Sequence, residues 1–154
     1  MPRIDLSRLP RTNVTGYPAP FDEPVQGRWY RRLGPAAGLT EMTASHVVLE
    51  PGAWSSQRHW HDGEDELVVV LWGTGTLVED KGETEVRGGD VLAFPKGMRD
   101  GHHIQNRSDE PFVFVAIGAG SRASGGGYSD IDMLFGEKGY TRKNGKPYPT
   151  ERQP

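Results

Sequence analysis

Apolar positions in this chain come in short runs, and most runs are closed by Gly, Pro, Asn or Asp. No stretch keeps a 3.6-residue apolar stripe long enough to predict a helix. Short runs between turn residues are the pattern of an all-β fold, a small antiparallel β-barrel or sandwich. A first strand is predicted within 25–33, and others over 43–49, 55–60, 66–72, 76–79, 83–87, 91–94, 102–106 and 112–118. Asp80-Lys81-Gly82 reads as the hairpin turn between two of them. The run 66–72 is almost wholly apolar after Glu66, which predicts a strand buried on both faces.

The flanks follow a different pattern. Residues 1–24 form a Pro-rich arm, extended or irregular because Pro cannot donate to a strand ladder. Its Ile4, Leu6, Leu9, Tyr17 and Phe21 give it something to pack. Residues 118–127 are rich in Gly and Ser and are expected to be flexible. The segment 128–154 carries Tyr128, Ile131, Met133, Leu134, Phe135, Tyr140 and Tyr148, with an Asn-Gly turn signal at Asn144-Gly145. The chain therefore divides into an N-terminal arm (1–24), a β-barrel (25–119) and a C-terminal extension (120–154) that packs on the barrel or on a partner subunit.

Composition removes several classes. The 154 residues fit one domain with a real core. There is no cysteine, so no disulfide, thiolate ligand or Cys nucleophile. The opening residues lack the apolar region of a secretory signal, and no apolar run approaches the ~20 residues of a membrane span. The expectation is a cytoplasmic protein with no membrane partner. Residues 1–32 and 138–154 hold 11 of the 18 Lys/Arg and 4 of the 21 Asp/Glu, a local net of +7 against −10 for the rest. These basic residues are scattered and no helix-turn-helix pattern accompanies them, so nucleic acid is not an expected partner.

The candidate chemistry lies in four residues. His59 and His61 are two apart, and on a strand such side chains share a face. Both imidazoles can then reach one ion, at about 2.0–2.1 Å if it is Zn. Glu66 opens the apolar run, on the face that alternation assigns to Val68, Val70 and Trp72. An ionised carboxylate there is costly unless a cation joins it. His102 begins a later strand, and parity places it with Ile104 and Asn106, leaving His103 to the opposite face.

Two motifs carry a family resemblance. The first runs Gly52, His59-x-His61, four residues, Glu66, six residues, Gly73; the second runs Gly89, five residues, Pro95-x-Gly97, then His102, three residues, Asn106. The chain resembles a single-domain member of the cupin superfamily over about 41–119, which implies a jelly-roll-like double-stranded β-helix. The resemblance implies that His59, His61, Glu66 and His102 ligate one divalent transition metal. Spacing departs from the family pattern twice, with one extra residue between Gly52 and His59 and two between Gly97 and His102. The second insertion bears on the choice of His102 over His103. Fe, Mn, Co, Ni, Cu and Zn all suit such a donor set, and four protein ligands leave two octahedral positions open. Gln57, Arg99, Asp100 and His103 are candidate pocket residues, Arg99 for an anionic substrate and Asp100 as a base. His46 is read as structural, and Phe94, Trp72, Phe112 and Phe114 as core.

These readings lead to a metal-dependent enzyme acting on an oxygen-rich or anionic small molecule, with dioxygenation slightly ahead of isomerisation and lyase chemistry. The rival is a metal-bearing binding or sensor module without turnover. The apolar run 66–72 and the aromatic arms also predict a homodimer. Light scattering at micromolar concentration should give twice the chain mass; a monomer there refutes that expectation.

Overall fold

The computed structural model describes residues 3–149. Its strands are β1 (Arg28–Arg32), β2 (Met42–Leu49), β3 (His59–His61), β4 (Glu64–Trp72), β5 (Thr74–Glu79), β6 (Gly82–Arg87), β7 (Val91–Phe94), β8 (His103–Gln105), β9 (Phe112–Gly120), β10 (Gly126–Tyr128), β11 (Leu134–Gly136) and β12 (Gly139–Thr141). They form three antiparallel sheets, ordered β1-β2-β9-β4-β7, β12-β11-β10-β3 and β6-β5-β8. Val47, Leu49, Val68, Val70, Phe112 and Phe114 from the first sheet meet Leu77, Val86 and Ile104 from the third to form the core. Each such large side chain contributes about 1.5–3 kcal/mol when fully buried. The all-β expectation holds, and so does the hairpin at Asp80-Lys81-Gly82, where Gly82 takes a φ of +126° that disfavours other residues. No helix among the described residues is long and apolar enough to cross a membrane.

Three local expectations change. The strand expected within 25–33 is β1, and a five-residue helix that no apolar stripe predicts, α1 (Leu33–Ala37), follows it. Pro35 is tolerated there because N–H groups of a first turn have no intrahelical acceptor. Gly38, at φ +70°, ends the helix. The predicted strand 55–60 is regular only from His59; before that its strand pairing with β8 is one isolated bridge, Trp54 to Gln105. Finally, β4 is not buried on both faces. A bulge shifts its register between Val70 and Trp72, so Trp72 leaves the inward row and is 67% exposed. Leu67 and Leu71 also face outward and are exposed, while Glu64, Val68 and Val70 are buried and Glu66 is half-buried. Leu67, Leu71 and Trp72 therefore remain uncovered within one chain.

The glycine-rich segment is ordered rather than free. Gly126, Gly127 and Tyr128 form β10, paired residue by residue with His61, Trp60 and His59 of β3. A Cβ on Gly127 would meet the indole of Trp60, and one on Gly126 would strike the Trp60 carbonyl. Absence of side chains is what lets this strand press against β3, so here glycine serves close approach rather than mobility. The same pairing carries the C-terminal extension onto the barrel. The N-terminal arm joins it: Thr12 and Tyr30 exchange backbone hydrogen bonds of 3.1 and 2.8 Å along the edge of β1, Tyr17 stacks on Tyr140 with centroids 5.5 Å apart, and Phe21 meets Tyr148 edge-on. The Asn144-Gly145 turn forms as expected, with Arg142 N–H donating to the Lys146 carbonyl at 2.7 Å.

Gly127→Ala should cost about 1–3 kcal/mol of stability by forcing Trp60 aside. Gly136→Ala, whose added carbon would find its nearest neighbour at 3.8 Å, should stay within about 0.5 kcal/mol of wild type. Urea unfolding followed by tryptophan fluorescence measures both; equal midpoints for the two variants would contradict the close-approach account.

Candidate metal centre

Strand alternation builds the centre from separate segments. β3 turns His59 and His61 to one side, β4 brings Glu66 to the same side, and the isolated bridge between His59 and His102 seats His102 opposite β3. The two His59–His102 backbone hydrogen bonds, 3.1 and 2.9 Å, fix that approach. The Nε2 atoms of His59 and His61 lie 3.1 Å apart. One oxygen of Glu66, Oε2, lies 3.2 Å from His102 Nε2, 3.4 Å from His61 Nε2 and 3.9 Å from His59 Nε2. The ligand atoms of His59, His61 and Glu66 all fall within 4.8 Å of one another, a group that could hold a metal ion.

Hydrogen bonding prepares these atoms for a cation. His59 Nδ1 sits 3.0 Å from the Gln57 carbonyl, to which its N–H donates, leaving a lone pair on Nε2. That lone pair points at His61 Nε2, a contact that is favourable only with a cation between or a proton on one ring. Burial, reinforced by the neighbouring His102 and only partly opposed by Glu66, holds the His59 imidazole down to about 3, so it is neutral and ligand-competent at neutral pH. Burial drives Glu66 the other way, but hydrogen bonds from His102 and His61 prevail and hold its carboxyl well below the usual range. His102 stacks flat on Phe94 with centroids 3.5 Å apart, and Phe135 meets His61 edge-on at 5.3 Å. The donor set and its geometry fit a divalent transition metal.

The choice of His102 over His103 now has a physical basis. His103 is buried too, but Nδ1 lies 2.9 Å from the Ser56 carbonyl and Nε2 3.0 Å from the Gln105 amide nitrogen. Its ring packs against Trp54. Both nitrogens are engaged, so neither is free for a metal.

The centre opens on a cavity of about 860 Å³. His103 borders it, but the other predicted pocket residues do not. Gln57 turns its amide to the Phe21 carbonyl at 2.8 Å and so ties down the N-terminal arm. Arg99 is exposed, 3.6 Å from Asp62. Asp100 accepts from the Asp80 N–H at 2.8 Å and braces the β5–β6 turn. The inserted loop before His102 thus points away from the centre. Arg58 helps hold it: the guanidinium pairs with Asp130 and Asp80 and donates to the Gly101 carbonyl at 3.3 Å.

Several cavity residues lie outside the sequence-derived set. Glu64, read there as part of a turn, opens β4 on the same face as Glu66; it is buried, with Oε1 3.8 Å from His61 Nδ1. The i, i+2 relation to Glu66 was the available signal. Tyr17, Tyr128 and Tyr140 meet at one cavity wall, with Tyr128 6.0 Å from His59 between ring centres. Burial, with Tyr140 beside it, pushes the Tyr17 phenol up to about 12, and burial raises Tyr128 further, so both stay protonated donors. The sequence marked these aromatics as packing residues, but their convergence depends on both arms folding over the barrel mouth.

Comparison with known proteins agrees with the geometry. Residues 45–118 match the cupin domain family. A sugar phosphate isomerase from a cupin superfamily, from Silicibacter pomeroyi, superposes with a TM-score of 0.90 at 39% identity, covering 97% of this chain and 98% of that one. An oxalate decarboxylase of Bacillus subtilis is 33% identical over 76 residues, which is 46% of this chain and 19% of the decarboxylase. An oxalate-binding protein of Thermotoga maritima is 29% identical over 73 residues, 47% of this chain and 58% of that protein. The chain spans less than two thirds of the length of either oxalate-related protein.

The shifted histidine sets a pH dependence. His59 protonates near 6.5 when unfolded and near 3 when folded, so between these values the unfolded chain binds the extra proton and folding weakens as pH falls. Metal-free protein should lose up to about 1.4 kcal/mol per pH unit from this group below pH ~6.5, with Glu66 adding loss below its own unfolded value. Urea midpoints from pH 7 to 5 measure the slope, and His59→Ala should flatten it; an unchanged slope would refute the assignment.

Proposed function

The chain belongs to the cupin superfamily, and on that premise we propose that it is a metal-dependent isomerase of an oxygen-rich, anionic small molecule, a sugar phosphate being the leading class. The observation that carries the reading is the convergence of His59, His61, Glu66 and His102 at the wall of a large cavity that also holds an uncommitted carboxylate and three tyrosines. His59, His61, Glu66 and His102 would hold the metal, which when bound supplies Lewis-acid polarisation of a substrate carbonyl or hydroxyl oxygen. The likeness to the Silicibacter pomeroyi protein along nearly its whole length moves isomerisation ahead of the dioxygenation that sequence alone put first by a small margin.

Isomerising a sugar moves a proton from the carbon beside a carbonyl to the carbonyl carbon, while the hydroxyl proton passes to the former carbonyl oxygen, with no net oxidation. A base must take that proton and return it one atom along. Glu64 is the carboxylate placed for this: it borders the cavity, is buried, and has no hydrogen-bond partner among the described residues. The Tyr17 and Tyr128 hydroxyls, kept protonated, donate to substrate hydroxyls and, with the Tyr140 ring beside them, orient the substrate against the centre. Phe135, Phe94 and the folded arms limit water around the reacting carbons.

A reading as a binding module draws on the Thermotoga maritima relative, which is named for binding oxalate. Turnover separates the two. Protein loaded in turn with Fe, Mn, Co, Ni, Cu and Zn should interconvert at least one aldose phosphate and ketose phosphate in D₂O, with deuterium entering at the proton-transfer carbon by NMR. Glu64→Gln should lower the rate about 10²- to 10⁴-fold at unchanged metal content, while His59→Ala/His61→Ala should lose the metal. Failure of every metal form to turn over a panel of pentose and hexose phosphates would end the isomerase reading, and a ligand-induced thermal shift without turnover would favour the binding module.

A further inference from the structure

β1 presents a stripe that the metal centre does not use. Arg28, Tyr30 and Arg32 alternate onto one face of this strand, and all three border the cavity. The Arg28 and Arg32 guanidinium carbons lie 5.6 and 6.0 Å from the centre of the Tyr30 ring. Tyr30 is itself held: its hydroxyl donates to the Val14 carbonyl at 3.0 Å, and its backbone pairs with Thr12. Arg28 is anchored by Nη1 donating to the Ser55 carbonyl at 2.8 Å, while its Nε is buried with no partner.

Charge is unbalanced along this wall. Arg11, Arg58, Arg87, Arg99, Arg107 and Arg142 each have a carboxylate within 4.0 Å; among the described residues the arginines that border the cavity, Arg28, Arg32 and Arg122, have none, and neither do Arg3, Arg8 and Arg31. The acidic side chains bordering the cavity among the described residues are Glu64 and Glu66, and Glu66 is committed to the histidine cluster. Three guanidiniums against these two carboxylates leave the wall net positive, which favours an anion such as a phosphate monoester. A guanidinium fork also matches phosphate oxygens two at a time, which a lysine does not.

We propose that Arg28 and Arg32, spaced by Tyr30, form the anion subsite that holds the phosphate group of the substrate while its carbon chain reaches the histidine cluster. This deepens the isomerase reading by naming the part of the site that selects a phosphorylated ligand, and it rests on that reading only for the rest of the substrate. Arg28 and Arg32 act here as binding residues.

Calorimetric titration with inorganic phosphate and with glucose 6-phosphate, at fixed ionic strength in chloride, tests the subsite directly. Both should bind wild-type protein, and phosphate should bind equally well, within a few-fold, after the metal is stripped with a chelator. Arg32→Leu, which removes an exposed side chain with no hydrogen bond of its own, should weaken both about 10- to 100-fold. Arg28→Lys, which keeps the charge and loses the fork, should weaken them in the same direction and guards against a folding defect from loss of the Ser55 contact. Absence of phosphate binding by wild type, unchanged affinity in both variants, or phosphate binding that disappears with the metal would each overturn the subsite. Phosphate binding that follows the arginines without turnover of any sugar phosphate would uphold the subsite and end only the isomerase reading.

Discussion

Holding a carboxylate against three imidazoles inside an apolar barrel is the constraint on which this structure turns. Glu66 shares its inward row with Val68 and Val70, surroundings that oppose an ionised acid. Contacts to His102 and His61, with His59 beyond, make the charge tolerable. They also leave two imidazole nitrogens 3.1 Å apart and aimed at one point, an arrangement suited to a cation. Elements far apart in sequence serve this meeting. β3 and β4 carry three of the groups, the bridge from β3 delivers His102, and Phe94 of β7 lies flat beneath that imidazole.

Glycine at the back of β3 serves the same end. Trp60 points away from the centre because His59 and His61 point toward it, and its indole needs an empty surface to lie on. Gly127 supplies that surface, Gly126 lets the strand approach the Trp60 carbonyl, and their strand then sets Tyr128 opposite His59. The C-terminal extension is therefore part of the cavity wall, held from the other side by Arg58 pairing with Asp130. The N-terminal arm closes the remaining side through Tyr17 and through Thr12 on the edge of β1. A cavity shaped by both arms differs from one shaped by the barrel alone, and the likeness to the Silicibacter pomeroyi isomerase runs through 97% of this chain.

Two chemical groupings line the cavity. One is the histidine cluster with Glu64 and the tyrosines beside it; the other is the β1 stripe of Arg28, Tyr30 and Arg32. Positive charge is spread along the wall, and the carboxylates Glu64 and Glu66 stand beside the histidines. The proposed isomerase assignment and the proposed anion subsite are separate consequences of that division.

The sequence by itself determined the all-β class, the hairpin and Asn-Gly turns, and the common face of His59, His61 and Glu66, because these depend on short-range rules. Alternation assigns a face within one strand, turn residues fix local backbone, and the spacing of His59, His61 and Glu66 survives in any fold that keeps those strands. Tertiary structure alone decided what long-range packing controls. A bulge, invisible in an apolar run, turned Trp72 outward. Close approach to Trp60 made an ordered strand of a glycine run that composition reads as flexible. The loop charges Arg99 and Asp100 found partners at Asp62 and Asp80 instead of the cavity. His103 lost both ring nitrogens to Ser56 and Gln105, which left His102 as the histidine free to face Glu66. Each of these outcomes depends on contacts between segments distant in sequence, and no local pattern encodes which distant partner arrives.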